Sequence, residues 1–388
     1  MKLLLRSIAA LFIRLLLRPL CILPIKKNRV LFVSYRGKQY SCNPRAISEE
    51  LMRLAGNKLE IGWAFHDAQK FEYLKQSGIK VLNDKTFEYL KFALTARVVC
   101  TNTYYKPYIP RRHSQFYLRT WHGGGAYKRV GRVRKMPLTQ RFHIFLQQQG
   151  ASLYLSSSNA FTSLTIRDAL NFKGEVLEKG MPRNDIMLNP QKMSIVAQIV
   201  RNSLGLKEDE KLALYAPTYR EGSSITSYGL DFEMLASALS KRFGSSWRVA
   251  FRGHHVVSDS PKLDGLFDLT DYPDMQDLLA AADVLITDYS SSIWDMSLSF
   301  KPVFLYATDL DDYSRANDFF TDIHSWGFPL AQTNDELKQL IEGFDEAVYS
   351  QNMVNHHAAL GNAETGRASY YAAQRIMREC GVNEAKEE

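Results

Sequence analysis

Cysteine is scarce in this chain, and acid is missing from two long stretches of it. The 388 residues hold four cysteines, Cys21, Cys42, Cys100 and Cys380, scattered so that none forms a CxxC pair. That spacing argues against a disulfide framework or a structural zinc site, and it suits a reducing compartment. No GxxxxGKS is present, which excludes a P-loop kinase, and no HExxH, GxSxG or Cys/His cluster appears. The sequence therefore calls for no metal and no cofactor.

Asp and Glu are absent from Met1 to Ser48 and again from Tyr89 to Arg167. The second stretch holds Arg111, Arg112, Arg119, Lys128, Arg129, Arg132, Arg134, Lys135 and Arg141, and the formal net charge of the whole chain is +8. A field of one sign attracts phosphate, whether in nucleic acid, lipid headgroups or a nucleotide. A solvated basic face is the plainer alternative.

An uninterrupted apolar run is missing too. The opening "MKLLLRSIAALFIRLLLRPLCILPIKK" is broken by Arg6, Arg14 and Arg18, whereas a spanning helix needs roughly 20 mostly apolar residues. At about 100° per residue, Lys2, Arg6, Ser7, Arg14 and Arg18 share one arc, opposite Leu4, Leu5, Ile8, Leu11, Phe12, Leu15, Leu16 and Ile22. This predicts an amphipathic interfacial helix over 1–26 on an anionic membrane surface, ended by Pro19 and Pro24. A cleaved signal is the competing reading, and no small-residue cleavage site follows. The expected location is the cytoplasmic face of the plasma membrane, held peripherally.

Beyond Lys27, short β-branched or aromatic runs alternate with amphipathic stretches. "VLFVSY", "EIGWAF", "RVVCTN" and "QFYLRTW" read as buried strands of one series. "KLALYAPTYR", "WRVAFRGHH", "GLFDLT", "ADVLITDYSSS" and "KPVFLYA" form a second. Repeated β–α alternation predicts parallel sheets covered on both faces. The expectation is an α/β chain of two Rossmann-like domains facing across a cleft, an N-terminal acceptor domain over 27–190 and a C-terminal nucleotide domain with the C-terminal helices over 191–388.

Polar motifs follow these strands, where open parallel sheets bind ligands. In "TWHGGGAYKRVG", His122 stands before Gly123, Gly124 and Gly125, whose bare backbone lets a substrate approach. It reads equally as a general base and as a turn histidine. In "TDYSSSIWD", Asp288, Ser290, Ser291 and Ser292 precede a helix and suit a phosphate, with Asp295 one turn on in reach of a ribose hydroxyl. An ordinary N-cap needs only one of these serines. In "FRGHH", Arg252 and His254 alternate toward one side and suit a diphosphate. "YAPTYR" brings Thr218 and Arg220 to a strand end, and "GMPRND" brings Arg183, Asn184 and Asp185 to a turn or to the cleft. Lys128 and Arg129 read as attractors for an anionic acceptor.

These motifs, in this order, resemble the CDP-glycerol glycerophosphotransferases, the primases and polymerases of wall teichoic acid, whose relatives transfer ribitol phosphate. "SYRGKQYSCNPRAISEEL" resembles their amino-terminal element, and the likeness runs from about residue 30 to 345. The resemblance implies a GT-B fold and transfer of glycerol phosphate from CDP-glycerol to a hydroxyl of an undecaprenyl-diphosphate-linked saccharide acceptor, with release of CMP. It implies His122 as general base, and Arg252, His254 and Ser290 to Ser292 as holders of the donor diphosphate, consistent with what phosphoryl transfer asks of a protein. Two departures stand out. Gly124-Gly125-Ala126 replaces a common Thr-Pro-Leu, and His255 follows His254 where relatives often have proline. The chain is short for a polymerase of this family, so size leans towards a primase. CDP-ribitol or a nucleotide sugar is the alternative donor, and nucleic-acid binding is the rival class, without a recognised motif.

Overall fold

The computed structural model describes residues 2–134, 136–148, 150–218, 229–253, 266–316 and 319–383. Arg220 and His254, both expected at the site, lie outside them, as does His255. The chain divides into two compact units. One comprises residues up to His122, Val130–Asp185 and Ala363 onward; the other comprises Gly123–Arg129 and Ile186–Asn362.

The first unit is a seven-stranded parallel sheet made of β1 (Lys26–Val33), β2 (Glu60–Phe65), β3 (Lys80–Asn83), β4 (Ala96–Thr101), β5 (Phe116–Arg119), β6 (Leu153–Leu155) and β7 (Glu175–Leu177), in the order β3-β2-β1-β4-β5-β6-β7. Its helices include α1 (Lys2–Leu17), α2 (Cys42–Ala55), α3 (Phe87–Thr95) and α4 (Leu138–Gln148). Strands buried on both faces need no polar alternation: Val30, Leu31, Phe32, Val98, Val99 and Cys100 are all fully buried.

In the second unit α5 (Pro190–Ser203), β8 (Glu210–Tyr215), α6 (Phe232–Phe243), β9 (Ser246–Phe251), β10 (Phe267–Asp268), α7 (Met275–Ala281), β11 (Val284–Thr287), α8 (Ser292–Ser297), β12 (Val303–Tyr306), α9 (Leu310–Ala316), β13 (Leu330–Ala331), α10 (Asn334–Glu342) and α11 (Glu346–Leu360) follow one another. Its six-stranded parallel sheet runs β10-β9-β8-β11-β12-β13. The expected pair of parallel α/β sheets is therefore present.

The last helix, α12 (Ala368–Cys380), belongs to the first unit rather than to the second, where sequence reading put it. The reason is local chemistry. Asp185 accepts from the amides of Ala368 and Ser369, each at 2.8 Å, capping the first turn of α12. Glu364 accepts from the Met181 amide and from the Asn184 side chain, each also at 2.8 Å.

Helix α1 forms as expected and ends at a 3-10 turn containing Pro19. Among the described residues no helix is long and apolar enough to cross a membrane. Ser7 and Ala10 of α1 are buried, and Arg14 is half-buried. Ser7 pairs with Nδ1 of His143 on α4 at 2.9 Å. Leu5, Ile8, Phe12, Leu15 and Leu16 are left exposed, so part of the polar arc faces the protein and the apolar side faces out.

Candidate active site

His122 follows β5 in the first unit. Trp121 before it has φ 57°, a left-handed conformation that a bulky residue keeps only when its surroundings enforce it. Asn43, at the start of α2, supplies part of that enforcement: its Nδ2 donates to the Trp121 carbonyl at 3.0 Å, and its Oδ1 accepts from the Arg183 amide at 3.0 Å. The His122 ring is fixed by a second asparagine. Its Nδ1 lies 2.9 Å from the Asn102 carbonyl, which accepts only, so Nδ1 carries the proton and Nε2 keeps its lone pair. Asn102 is fully buried, donating to Ser34 Oγ at 3.1 Å and accepting from the Tyr35 amide at 2.8 Å.

His122 retains solvent access, yet the protein packed around its ring lowers its pKa, with Arg183 and Arg36 adding to the effect against the opposing pull of the Asn102 carbonyl. The neutral imidazole that results is the form a general base needs.

Sequence reading placed Arg183, Asn184 and Asp185 in the acceptor cleft. Arg183 is buried and near enough to His122 to act on its charge. Asn184 and Asp185 instead use their side chains to hold the returning segment around Glu364 and α12, as described above. Arg36 and the two asparagines went unnoticed as site residues. The available signals were Asn102 at the end of a strand pattern and Asn43 within "SYRGKQYSCNPRAISEEL". Arg36 sits at φ 60° between Tyr35 and Gly37, whose φ values are also positive.

The other expected residues gather in the second unit. Asp288 is buried, and its carboxylate accepts from the Thr218 amide at 2.9 and 3.0 Å and from the Thr218 hydroxyl. It therefore braces the segment after β8. Lys128 lies here too, not with the acceptor residues: its Nζ is 3.4 Å from Thr218 Oγ1 and 5.3 Å from the centroid of the Tyr313 ring. Arg129 donates to the Phe319 carbonyl at 3.1 Å. Ser290 Oγ accepts from the Ser292 amide at 3.3 Å and its hydroxyl at 3.0 Å, while Ser291 begins the turn into α8. Arg252 follows β9 directly, its amide bonded to the Tyr215 carbonyl at 2.8 Å. Asp295 is buried close to Tyr127. Strand ends β8, β9 and β11 thus bring together Thr218, Arg252 and Ser290–Ser292 with Lys128, a set of cations and hydroxyls suited to an anionic phosphate.

The glycines after His122 have a steric explanation. A Cβ on Gly124 would stand 2.9 Å from Cγ of Trp294 and closer still to Cδ1, and Gly125 has φ 76°. Two residues on, Tyr127 is buried, its ring 4.5 Å from that of Trp326, and its hydroxyl pairs with His356 Nε2 at 2.7 Å. This stretch is packed into the second unit.

Two parallel-sheet α/β units are a fold similar to that of GT-B-like enzymes. The sequence matches the family CDP-Glycerol:Poly(glycerophosphate) glycerophosphotransferase over residues 15–377, and the chain belongs to it. It is 28% identical over 389 residues to a teichoic acid poly(glycerol phosphate) polymerase of Bacillus spizizenii, spanning 96% of this chain and 98% of that protein. A Bacillus subtilis protein of the same description is 27% identical over 84% of this chain, which spans 45% of its length. The solved structure of the wall teichoic acid polymerase TagF superposes with a TM-score of 0.82 at 23% identity, covering 98% of this chain and 97% of that one. The chain is accordingly an enzyme of the CDP-glycerol glycerophosphotransferase type.

Proposed function

We propose that the protein transfers glycerol phosphate from CDP-glycerol to a hydroxyl of an undecaprenyl-diphosphate-linked saccharide, releasing CMP, at the cytoplasmic face of the plasma membrane. The observation that carries this reading is the neutral, Nδ1-anchored His122 within a chain matched to the family over residues 15–377. Nε2 of His122 takes the proton of the acceptor hydroxyl as its oxygen attacks the phosphorus that bears glycerol. The phosphoanhydride bond to CMP breaks, and the electron pair leaves on the CMP phosphate. Lys128, Arg252, His254, Arg220, Thr218 and Ser290 to Ser292 hold the donor diphosphate and stabilise that charge. Arg183 and Arg36 attract the acceptor's diphosphate.

Size no longer argues for a priming role, because the chain spans 98% of a protein described as a polymerase. A ribitol donor is the second reading, favoured by 28% identity to a teichoic acid ribitol-phosphate primase of Bacillus spizizenii. Thermal shift with CDP-glycerol, CDP-ribitol and UDP-sugars separates the donors. CDP-glycerol is expected to raise the melting temperature most, and a larger rise with a UDP-sugar would overturn the assignment.

Membrane attachment through α1 is part of the same proposal, supported by the exposed Leu5, Ile8, Phe12, Leu15 and Leu16. Removal of residues 1–24 is expected to release the protein from anionic vesicles in a flotation assay. Unchanged flotation would assign attachment elsewhere.

A further inference from the structure

Two arginines of the first unit lie deep in the acid-free stretch between Tyr89 and Arg167. Arg119, the last residue of β5, is 2% exposed. Its Nη2 donates to the Gln147 carbonyl at 2.7 Å and its Nη1 to the Thr103 carbonyl at 3.4 Å, while Nε has no partner. Arg111 donates from Nη2 to the same Gln147 carbonyl at 3.0 Å, and its buried Nε and Nη1 have no partner. Two guanidinium groups therefore share one neutral oxygen at the end of α4, and three of their N–H-bearing nitrogens are unsatisfied. The buried Thr103 hydroxyl next to Arg119 is unsatisfied as well. No carboxylate pairs with either arginine among the described residues.

Burial is the larger cause that pushes the Arg111 guanidinium down to about 9, and Arg119 adds to it. Buried polar groups are ordinarily bonded, and buried charges are ordinarily paired. An arrangement this far from both rules has the donor set of an oxyanion site, since the planar forks of arginine match phosphate oxygens. Gly150 lets Arg111 reach this position: a Cβ there would stand 2.6 Å from Arg111 Cδ and 2.8 Å from Nη1, so the side chain lies directly on the glycine backbone.

We propose that Arg111, Arg119 and the Thr103 hydroxyl form a binding site for a phosphate group. The site lies within the first unit, beneath α4, and does not involve the donor-holding residues assigned to the second. It stands whether or not the transferase reading holds. The phosphate has two possible sources. A free phosphate or pyrophosphate enters from solution past the partly exposed Arg111. A lipid headgroup enters from a membrane lying on the exposed Leu138, Phe142 and Phe145 of α4.

The test uses the full-length protein and its Arg111→Gln and Arg119→Gln variants in phosphate-free buffer. Melting temperatures are measured with inorganic phosphate, with pyrophosphate, and with phosphatidylglycerol or phosphatidylcholine vesicles, all at matched ionic strength. Wild type is expected to gain about 2–4 °C at saturation from free phosphate if the site takes the soluble ion. The gain comes only from phosphatidylglycerol if the site takes the headgroup. Both variants are expected to lose that gain, and Arg111→Gln is expected to melt higher than wild type without anion because one unpaired buried charge is gone. No gain in wild type from either source, or an equal gain in both variants, would overturn the site. Should a variant fail to fold, Arg111→Lys keeps the charge but loses the fork. Its affinity for radiolabelled phosphate in equilibrium dialysis, or for phosphatidylglycerol vesicles, is then expected to fall about tenfold, and unchanged affinity would overturn the site.

Discussion

His122→Ala is expected to lower glycerol-phosphate transfer by about two to four orders of magnitude while the melting temperature stays near that of wild type. The side chain makes one described hydrogen bond, from Nδ1 to the Asn102 carbonyl at 2.9 Å, and it retains solvent access. The ring also stacks on Trp121 at 5.0 Å and meets Tyr35 edge-on at 5.8 Å, so the packing given up is confined to these two neighbours. What is lost is an acceptor nitrogen kept free by a fixed tautomer. The same environment sets the pH dependence. Protein around the ring, then Arg183 and Arg36, lower the imidazole pKa, so the base form persists to lower pH than for a free histidine. The acid limb of kcat/KM against pH, which reports the free enzyme, should have its midpoint below the ordinary value of about 6.5. Near-normal turnover by His122→Ala, or an acid limb centred above that value, would remove His122 from the proton transfer.

Acidification should destabilise the second unit well before carboxylates titrate. His356 and His357 on α11 are buried, and their ring centroids are 6.1 Å apart. His356 Nε2 bonds the Tyr127 hydroxyl at 2.7 Å, and His357 Nε2 bonds Ser297 Oγ at 2.8 Å. Burial pushes both imidazoles down to about 4, and for His356 the neighbouring His357 adds to the effect. The unfolded chain takes up a proton on each near pH 6.5, while the folded chain resists until about pH 4. Stability is thus complete above the unfolded value and falls as pH drops through the interval between the two. The loss amounts to about 3 kcal/mol for each histidine at the lower end. Urea unfolding at pH 7.5, 6 and 5 measures it. A His356→Gln, His357→Gln double variant should show a flatter pH profile, even if less stable at pH 7.5; an equally steep profile would contradict the account.

Both series of strands were legible because parallel strands buried on two faces leave continuous apolar runs. "EIGWAF" forms β2 over Glu60–Phe65, and "VLIT" forms β11 over Val284–Thr287. Strands β3, β6 and β13 went unread; they run four, three and two residues. The strand-end residues were legible by position, but their partners were not. Asn184 meets Glu364 across 180 residues of chain, and no local pattern records that. Asp288 looks like a phosphate-site residue from its neighbours, and its partner at Thr218 makes it a brace. Gly124 looks like access for substrate until Trp294 is placed against it. His122 was found from its motif, but its tautomer depends on Asn102, which only the folded sheet brings beside it.

The most direct test incubates the purified full-length chain with CDP-glycerol and a lipid-linked saccharide acceptor, then quantifies CMP and lipid-bound glycerol phosphate together. The account predicts one CMP for each glycerol phosphate transferred, and a loss of both products with His122→Ala. Absence of CMP release from CDP-glycerol, with turnover of a nucleotide sugar instead, would contradict it.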